Sequence, residues 1–188
     1  MSIWVSTGSG YKRGIAEFKV VVYNFGEGNL PEKNWWVYGE LHNSPPEYEQ
    51  GLVNIFNIWQ KETFFNWFSL PIGSQMKRDY NDACLIYSSL STRILKKEIY
   101  QIDVSLTREE LDFYYLVASE FLGEKGYFGY DLHTFKDCLT ELYMNNGYQN
   151  GSTIAFVNYD KIVDQNISNF ILEIKNIFMS YEFTVKFF

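Results

Sequence analysis

The stretch TIAFVNYDKIVDQNISNFILEIKNIFMSYEFTVKF, residues 153–187, consists of two strand patterns separated by a helix pattern. TIAFV (153–157) is a continuous apolar run, which is typical of the middle of a parallel sheet. The apolar residues of 162–179 recur at the spacing of one helix face, and EFTVKF (182–187) follows as a last strand. A strand, a helix and a strand in this order predict parallel pairing through a right-handed crossover.

A strand and two helix patterns precede this stretch. IYQIDV (99–104) is the strand, and Thr107 and Glu110 have the spacing of a capping box that starts a helix ending at Gly123. Asp131 can cap a second helix, whose apolar stripe is Leu132, Phe135, Leu139 and Leu142. The C-terminal half is therefore predicted to be an α/β domain, with a three-stranded parallel sheet and flanking helices.

The N-terminal half has strand patterns but less order. IAEFKVVVY (15–23), WWVYGEL (35–41) and the segment 83–95 are predicted strands, because they are rich in β-branched and aromatic residues. The segment 51–70 fits a helical stripe loosely and also alternates in part like a strand, and a helix or a mixed segment is predicted. These patterns predict a small α+β or mostly β unit.

Charge and tryptophan are divided unequally along the chain of 188 residues. Residues 1–97 have ten Lys/Arg and nine Asp/Glu, a net charge of +1, whereas residues 98–188 have six and fourteen, a net charge of −8. All five Trp residues lie before residue 70. This division predicts two domains, 1–95 and 96–188, joined near residues 88–97.

The composition excludes several classes of protein. An acidic half repels phosphates, so no direct nucleic-acid binding is expected, whereas a basic protein partner would be attracted. No apolar run approaches the roughly 20 residues that span a bilayer, and the N-terminus lacks the apolar core of a signal peptide. Cys84 and Cys138 have no metal-type spacing and are expected to be free thiols. We expect a cytoplasmic protein with no membrane partner, cofactor or metal.

The segment YFGYDLHTFKDCLT, residues 127–140, resembles the signature of the barstar family of ribonuclease inhibitors. That signature runs aromatic, aromatic, Gly, any residue, Asn, Leu and Asp, followed by a helix containing Asp-Cys-Leu-Thr. The order of elements in 98–188 is also barstar-like, and the resemblance does not extend to the N-terminal half. It implies a barstar-like fold and an inhibitor that inserts its second helix and the preceding loop into a ribonuclease active site.

The resemblance also implies which residues contact the partner. The second helix would present one solvent-exposed face, the loop before it would contribute contacts, and the last helix would add an acid at Glu173, with Lys175 an equally good match. The predicted partner-binding residues are Tyr127, Phe128, Gly129, Tyr130, His133, Lys136, Asp137, Thr140, Glu141 and Glu173.

The chain departs from the family pattern at three of these positions. His133 stands where the family has its first helix carboxylate, Lys136 where it has an interface Trp, and Asp131 where it has an Asn cap. Only the second helix carboxylate is kept, as Asp137. The departures indicate a target that differs from the usual guanyl-specific ribonuclease.

Three functions remain open from the sequence. The first is a bacterial immunity protein that neutralises a basic ribonuclease toxin, and the second is a non-inhibitory interaction module that regulates another basic partner. The third is an enzyme carried by the N-terminal half. Since neither His42 nor His133 is accompanied by a readable nucleophile or carboxylate pair, we do not expect an enzyme.

Overall fold

The computed structural model of the chain describes residues 2–6, 12–17, 19–27, 35–42, 46–61, 65–88, 97–147 and 151–188. Its internal contacts separate two compact units, Met1–Val53 (unit 1) and Asn54–Phe188 (unit 2). Unit 1 contains antiparallel strand pairs, and unit 2 contains a parallel sheet.

The four strands of unit 1 pair as two hairpins. They are β1 (Ser2–Ser6) with β2 (Lys12–Glu17), and β3 (Lys19–Glu27) with β4 (Trp35–His42). The strand predicted at 15–23 is thus divided between β2 and β3, and the strand predicted at 35–41 is confirmed as β4. Among the described residues, the two pairs form separate sheets.

Two helices follow the hairpins in the sequence, α1 (Pro46–Lys61) and α2 (Gln75–Ser88), with a 3-10 turn at Trp67–Ser69 between them. The ambiguous segment 51–70 is helical up to Lys61. The strand predicted at 83–95 is wrong for residues 83–88, which belong to α2, and residues 89–96 lie outside the described residues.

The burial pattern of α2 explains that error. Its buried residues include Lys77, Tyr80, Asn81 and Cys84, which have the spacing of one helix face. The face begins with a lysine and continues through an asparagine, so its polar members conceal the helical period. Only the apolar end of the face, from Ala83 onward, resembles a strand.

Unit 2 is built on a three-stranded parallel sheet in the order β5–β6–β7. The strands are β5 (Ile99–Asp103), β6 (Thr153–Val157) and β7 (Thr184–Phe187). The three predicted strands and their parallel pairing are confirmed. Ile154, Ala155 and Phe156 of the central strand are all buried, which accounts for its unbroken apolar run.

Three helices pack with this sheet, namely α3 (Glu110–Leu122), α4 (Leu132–Asn145) and α5 (Gln165–Ser180). Phe113 of α3 and Phe178 of α5 lie with their ring centroids 6.1 Å and 6.2 Å from that of Phe156 in β6. The ring centroid of Phe135 in α4 lies 5.4 Å from that of Phe178. The predicted α/β arrangement of the C-terminal half is therefore confirmed at the level of a parallel sheet flanked by helices.

The start of α3 differs from the predicted capping box. Its N-cap is Glu109, whose side chain makes no capping hydrogen bond, and Thr107 Oγ1 is buried with no hydrogen-bond partner. The carboxylate of Asp112 instead accepts a hydrogen bond from the backbone N–H of Arg108 at 3.1 Å. A 3-10 turn at Val104–Leu106 holds Thr107 ahead of the helix, so the prediction for Thr107 and Glu110 is wrong.

A buried polar network joins the segment 65–88 to α3. The indole of Trp67 stacks on Tyr115 with centroids 4.3 Å apart, and its Nε1–H donates to Asp112 at 2.6 Å. The Lys77 ammonium is fully buried and donates to the same Asp112 oxygen at 2.6 Å and to Glu109 at 2.5 Å. These contacts make 65–88 part of the core of unit 2.

The compact units accordingly divide between Val53 and Asn54, ahead of the junction predicted between residues 95 and 96. Composition indicated the later position because all Trp residues precede residue 70 and the excess of acidic residues begins after residue 97. The segment 65–88 belongs to unit 2 because its side chains pack against and bond to α3. Residues 54–188 contain twelve Lys/Arg and seventeen Asp/Glu, so unit 2 carries a net charge of −5 out of −7.

Candidate partner-binding site

The loop before α4 places its two aromatic side chains in the core. Tyr127 is 4% exposed and Phe128 is fully buried. The Phe128 ring centroid lies 5.1 Å from that of Phe121 and 5.7 Å from that of Phe135. This corrects the expectation that Tyr127 and Phe128 contact a partner, because their side chains are used in packing. Tyr130, which follows them, is 52% exposed.

Gly129 is buried against the first turn of α4. Its φ is +95°, and a Cβ at this position would lie 2.6 Å from the backbone nitrogen of Phe135. A side chain would therefore collide with backbone, which cannot move aside as a flexible side chain can. Gly129 acts by letting the loop lie on α4 and, being buried, is not itself a contact surface.

We expect Gly129→Ala to lower the free energy of unfolding by more than the roughly 1–3 kcal/mol that an unfavourable backbone conformation costs. Gly147→Ala is the matched control, because Gly147 also has a positive φ, +69°, but a Cβ there meets nothing within 4 Å. Urea denaturation followed by circular dichroism measures both variants. An equal loss for the two would show that the loop does not depend on this close approach.

Asp131 caps α4, as predicted. Its carboxylate accepts a hydrogen bond from the backbone N–H of Thr134 at 2.8 Å, and the Thr134 hydroxyl accepts one from the N–H of Asp131 at 3.2 Å. The hydrogen bond from the Thr134 N–H is the largest cause of the lowered pKa of Asp131. The helix therefore begins with a carboxylate held in its ionised form.

One face of α4 is open to solvent. His133, Lys136, Asp137 and Thr140 are all exposed, which confirms their predicted place opposite the buried stripe. The side chains of His133 and Asp137 are 86% and 68% exposed, and His133 Nε2 lies 3.7 Å from Asp137 Oδ2. The pair carries opposite charges only when the imidazole is protonated. Asp137 therefore remains available to an external cation.

The C-terminal end of this face is bordered by Tyr181. The Tyr181 hydroxyl lies 2.7 Å from Thr140 Oγ1 and donates to the backbone carbonyl of Lys136 at 3.2 Å. Glu141, the next residue of α4, is half-buried. Thr140 is thus engaged within the protein, so the accessible part of the face centres on His133, Lys136 and Asp137.

Three carboxylates from different elements act on one buried hydroxyl, that of Tyr114. The hydroxyl of Tyr114 is buried and has no hydrogen-bond partner. Burial raises the pKa of Tyr114, and the negative charges of Glu110, Asp131 and Glu173 raise it further. All three carboxylates therefore lie within electrostatic reach of one hydroxyl. We call Glu110, Asp131 and Glu173 the acidic cluster.

The acidic cluster separates two positions that the sequence left open. Glu173 lies in the cluster, whereas the Lys175 ammonium lies 5.7 Å from the ring centroid of Phe187 in β7. Of the two, Glu173 is the residue whose charge acts on Tyr114, and its contact with a partner stays a prediction. Glu110 was missed as a site residue, because its spacing from Thr107 assigned it to helix capping and its neighbours in the cluster are distant in sequence.

In the part of the chain that the structure describes, no three His, Cys, Asp or Glu side chains are grouped so that they could hold a metal ion. None of the described helices is both long enough and apolar enough to cross a bilayer. Cys84 and Cys138 are buried free thiols. Comparison with protein-family models, with curated proteins and with solved structures finds no match to this chain.

Proposed function

We propose that the protein is an inhibitor of a basic ribonuclease toxin and acts as its immunity protein. The observation that carries the proposal is the open face of α4, which presents the exposed carboxylate of Asp137, together with three further carboxylates, Glu110, Asp131 and Glu173, whose charges act on the buried hydroxyl of Tyr114. The barstar-like signature at 127–140 supports the same conclusion. In this proposal the acidic cluster and the open face of α4 together bind the toxin.

The chemistry of a ribonuclease explains why carboxylates suit this role. An enzyme that cleaves RNA holds phosphates with cationic side chains, and arginine binds carboxylate and phosphate with the same bidentate geometry. Carboxylates set in a folded surface can therefore occupy a phosphate site without offering a bond to cleave. Such an inhibitor needs no catalytic group of its own.

Charge also determines how the two proteins would meet. The net charge of −5 on unit 2 attracts a basic partner and accelerates association at low ionic strength. Salt shortens the range of this attraction, to about 8 Å at physiological ionic strength. We therefore expect the association rate to fall steeply as salt is added.

A second candidate is a non-inhibitory module that binds a basic partner away from any active site. The observation in its favour is that His133 and Lys136 share the open face with Asp137, while Tyr127 and Phe128 are buried. A cleft that binds phosphate is lined with cations, and these would repel Lys136 on this face. The two functions differ in whether a nuclease activity disappears on binding.

Affinity capture tests the proposed function. The immobilised full chain should retain, at low salt, a basic protein that elutes at high salt and cleaves RNA. Mass spectrometry identifies the protein, and a gene for a nuclease toxin beside that of the chain would agree with it. If the retained proteins include no ribonuclease, the proposed function is wrong.

The binding surface is tested with two charge-matched double variants. E110Q/E173Q removes two charges from the acidic cluster, whereas E98Q/E124Q removes two exposed charges, at the start of β5 and after the last turn of α3. We expect the first variant to release the nuclease at lower salt than the wild type and the second to release it at nearly the same salt. Equal elution of the two variants would exclude the acidic cluster as the binding surface.

A further inference from the structure

A cleft of about 440 Å³ lies between α2 and the start of α3, beside Tyr130. Its walls include Asn81 and Asp82 of α2, Glu110 and Leu111 of α3, and the exposed Tyr130 of the loop before α4. The volume is within the range of sites that hold a small ligand or a side chain with its flanking backbone. The sequence analysis did not single out this cleft, because α2 was expected to end in a strand.

The charges lining the cleft favour a cation. Glu109 is paired with Lys77 and accepts from the backbone N–H of Gly73. Arg78 donates to two neutral oxygens, of Gly73 and Gln75, so it keeps its positive charge, and the carboxylates of Asp82 and Glu110 outnumber it. The side-chain carboxylates of Asp82 and Glu110 are in none of the hydrogen bonds or ion pairs of the described part of the chain. Burial, followed by the charge of Asp79, raises the pKa of Asp82, so an approaching cation would relieve a desolvated carboxylate.

We propose that this cleft binds an arginine side chain of the basic partner, with the guanidinium between Asp82 and Glu110. The flat guanidinium has five donors for two carboxylates, and it stacks well on an aromatic ring such as that of Tyr130. The aliphatic part of the arginine would lie along Leu111. A lysine ammonium offers neither the planar fork nor the stacking surface.

The identity of the partner rests on the proposed function, while the cleft and its ligand chemistry do not. Glu110 belongs to both the cleft and the acidic cluster, and Tyr130 leads directly into the cap of α4. The partner-binding surface would thereby extend from α4 to α2, with the arginine pocket at its edge. This extension would compensate for the loss of the family's helix carboxylate at His133.

A blocked tripeptide, acetyl-Gly-Arg-Gly-amide, tests the pocket on the full chain. In a titration followed by ¹H–¹⁵N NMR, we expect saturable shifts at residues 78–82, 109–111 and 130. The same peptide with citrulline, which keeps the length and shape of arginine but is neutral, should bind at least about tenfold more weakly. The lysine peptide should also bind more weakly than the arginine peptide.

Asp82→Asn and Glu110→Gln should each lower the affinity for the arginine peptide by about 10- to 100-fold, since each variant loses a charge-assisted hydrogen bond. Glu98→Gln should leave its affinity unchanged. Absence of saturable binding, equal binding of the citrulline or lysine peptide, or full affinity in Asp82→Asn would each overturn the pocket.

The outcome is separable from that of the capture experiment. A captured ribonuclease with no arginine-peptide binding refutes the pocket and leaves the proposed function standing. Specific binding of the arginine peptide without any captured nuclease establishes the pocket and refutes the proposed function.

Discussion

Replacing Lys77 with methionine is expected to lower the free energy of unfolding by about 3–5 kcal/mol, the cost of removing one partner from a buried ion pair. Lys77 and Asp112 both have fully buried side chains, and the ammonium donates to the carboxylate at 2.6 Å. Without Lys77, Asp112 keeps hydrogen bonds from Trp67 and from the backbone N–H of Arg108, and its remaining cation is the partly exposed Arg108 guanidinium, whose Nε lies 3.2 Å from Oδ2. The carboxylate would then be charged in a site that water cannot reach.

Lys97→Met provides the matched control. The Lys97 ammonium also bonds a glutamate, Glu120, at 2.9 Å, but the Lys97 side chain is 50% exposed. A surface pair of this kind contributes at most about 1 kcal/mol. Urea denaturation followed by tryptophan fluorescence compares the variants, and a loss in Lys77→Met no larger than in Lys97→Met would contradict the buried network.

The same network predicts how stability depends on pH. Burial by itself would raise the pKa of Asp112, but hydrogen bonds from Lys77 and Trp67 outweigh it and hold the pKa below its usual value of 3.8. A carboxyl whose pKa is lower in the folded state stabilises the fold above its unfolded pKa. This contribution is complete above about pH 4–5 and is lost as the pH falls through the folded pKa. Lys77→Met should reduce that loss, as measured by urea denaturation at several pH values.

Asp137→Ala is expected to weaken binding of the captured nuclease by about one and a half to four orders of magnitude. Removing one partner of a charge pair that is buried in an interface costs about 2–5 kcal/mol, largely because the opposite charge is left unpaired. Asp137 is 68% exposed in the free protein and becomes such a partner only in the complex. The substitution should therefore change affinity while leaving the melting temperature nearly unchanged.

Asp160→Ala is the control for this prediction. Asp160 is an exposed acid in a 3-10 turn after β6, so its removal changes the net charge equally without touching α4. Calorimetric titration of the nuclease with each variant gives the affinities. If Asp137→Ala and Asp160→Ala bind alike, the open face of α4 takes no part in inhibition.

β6, α5 and β7 could be predicted from the sequence because the residue patterns that specify them lie within each element. The unbroken apolar run of β6 and the regular stripe of α5 are periodic signals within a single element. The cap at Asp131 is likewise decided by a neighbour three residues away. Such features need no knowledge of the tertiary structure.

The errors concern residues whose role depends on distant partners. Lys77 is buried because Glu109 and Asp112, on α3, neutralise it, and no local pattern in α2 indicates this. Tyr127 is buried in the loop before α4, where Gly129 packs against the backbone of Phe135. Glu110, Asp131 and Glu173 act on the same Tyr114 hydroxyl only when three helices have packed. In each case tertiary packing, which the sequence pattern does not contain, decides the outcome.

Inhibition itself is tested most directly by the rate at which the captured nuclease cleaves RNA as the full chain is added back. Acidic carboxylates that occupy its phosphate sites should reduce cleavage to background at a stoichiometric amount of chain in low salt, and E110Q/E173Q should require a large excess. Added RNA should compete with the chain, because both would occupy the same cleft. Cleavage that continues at the full rate while the chain is saturatingly bound would contradict an inhibitor and favour the non-inhibitory module.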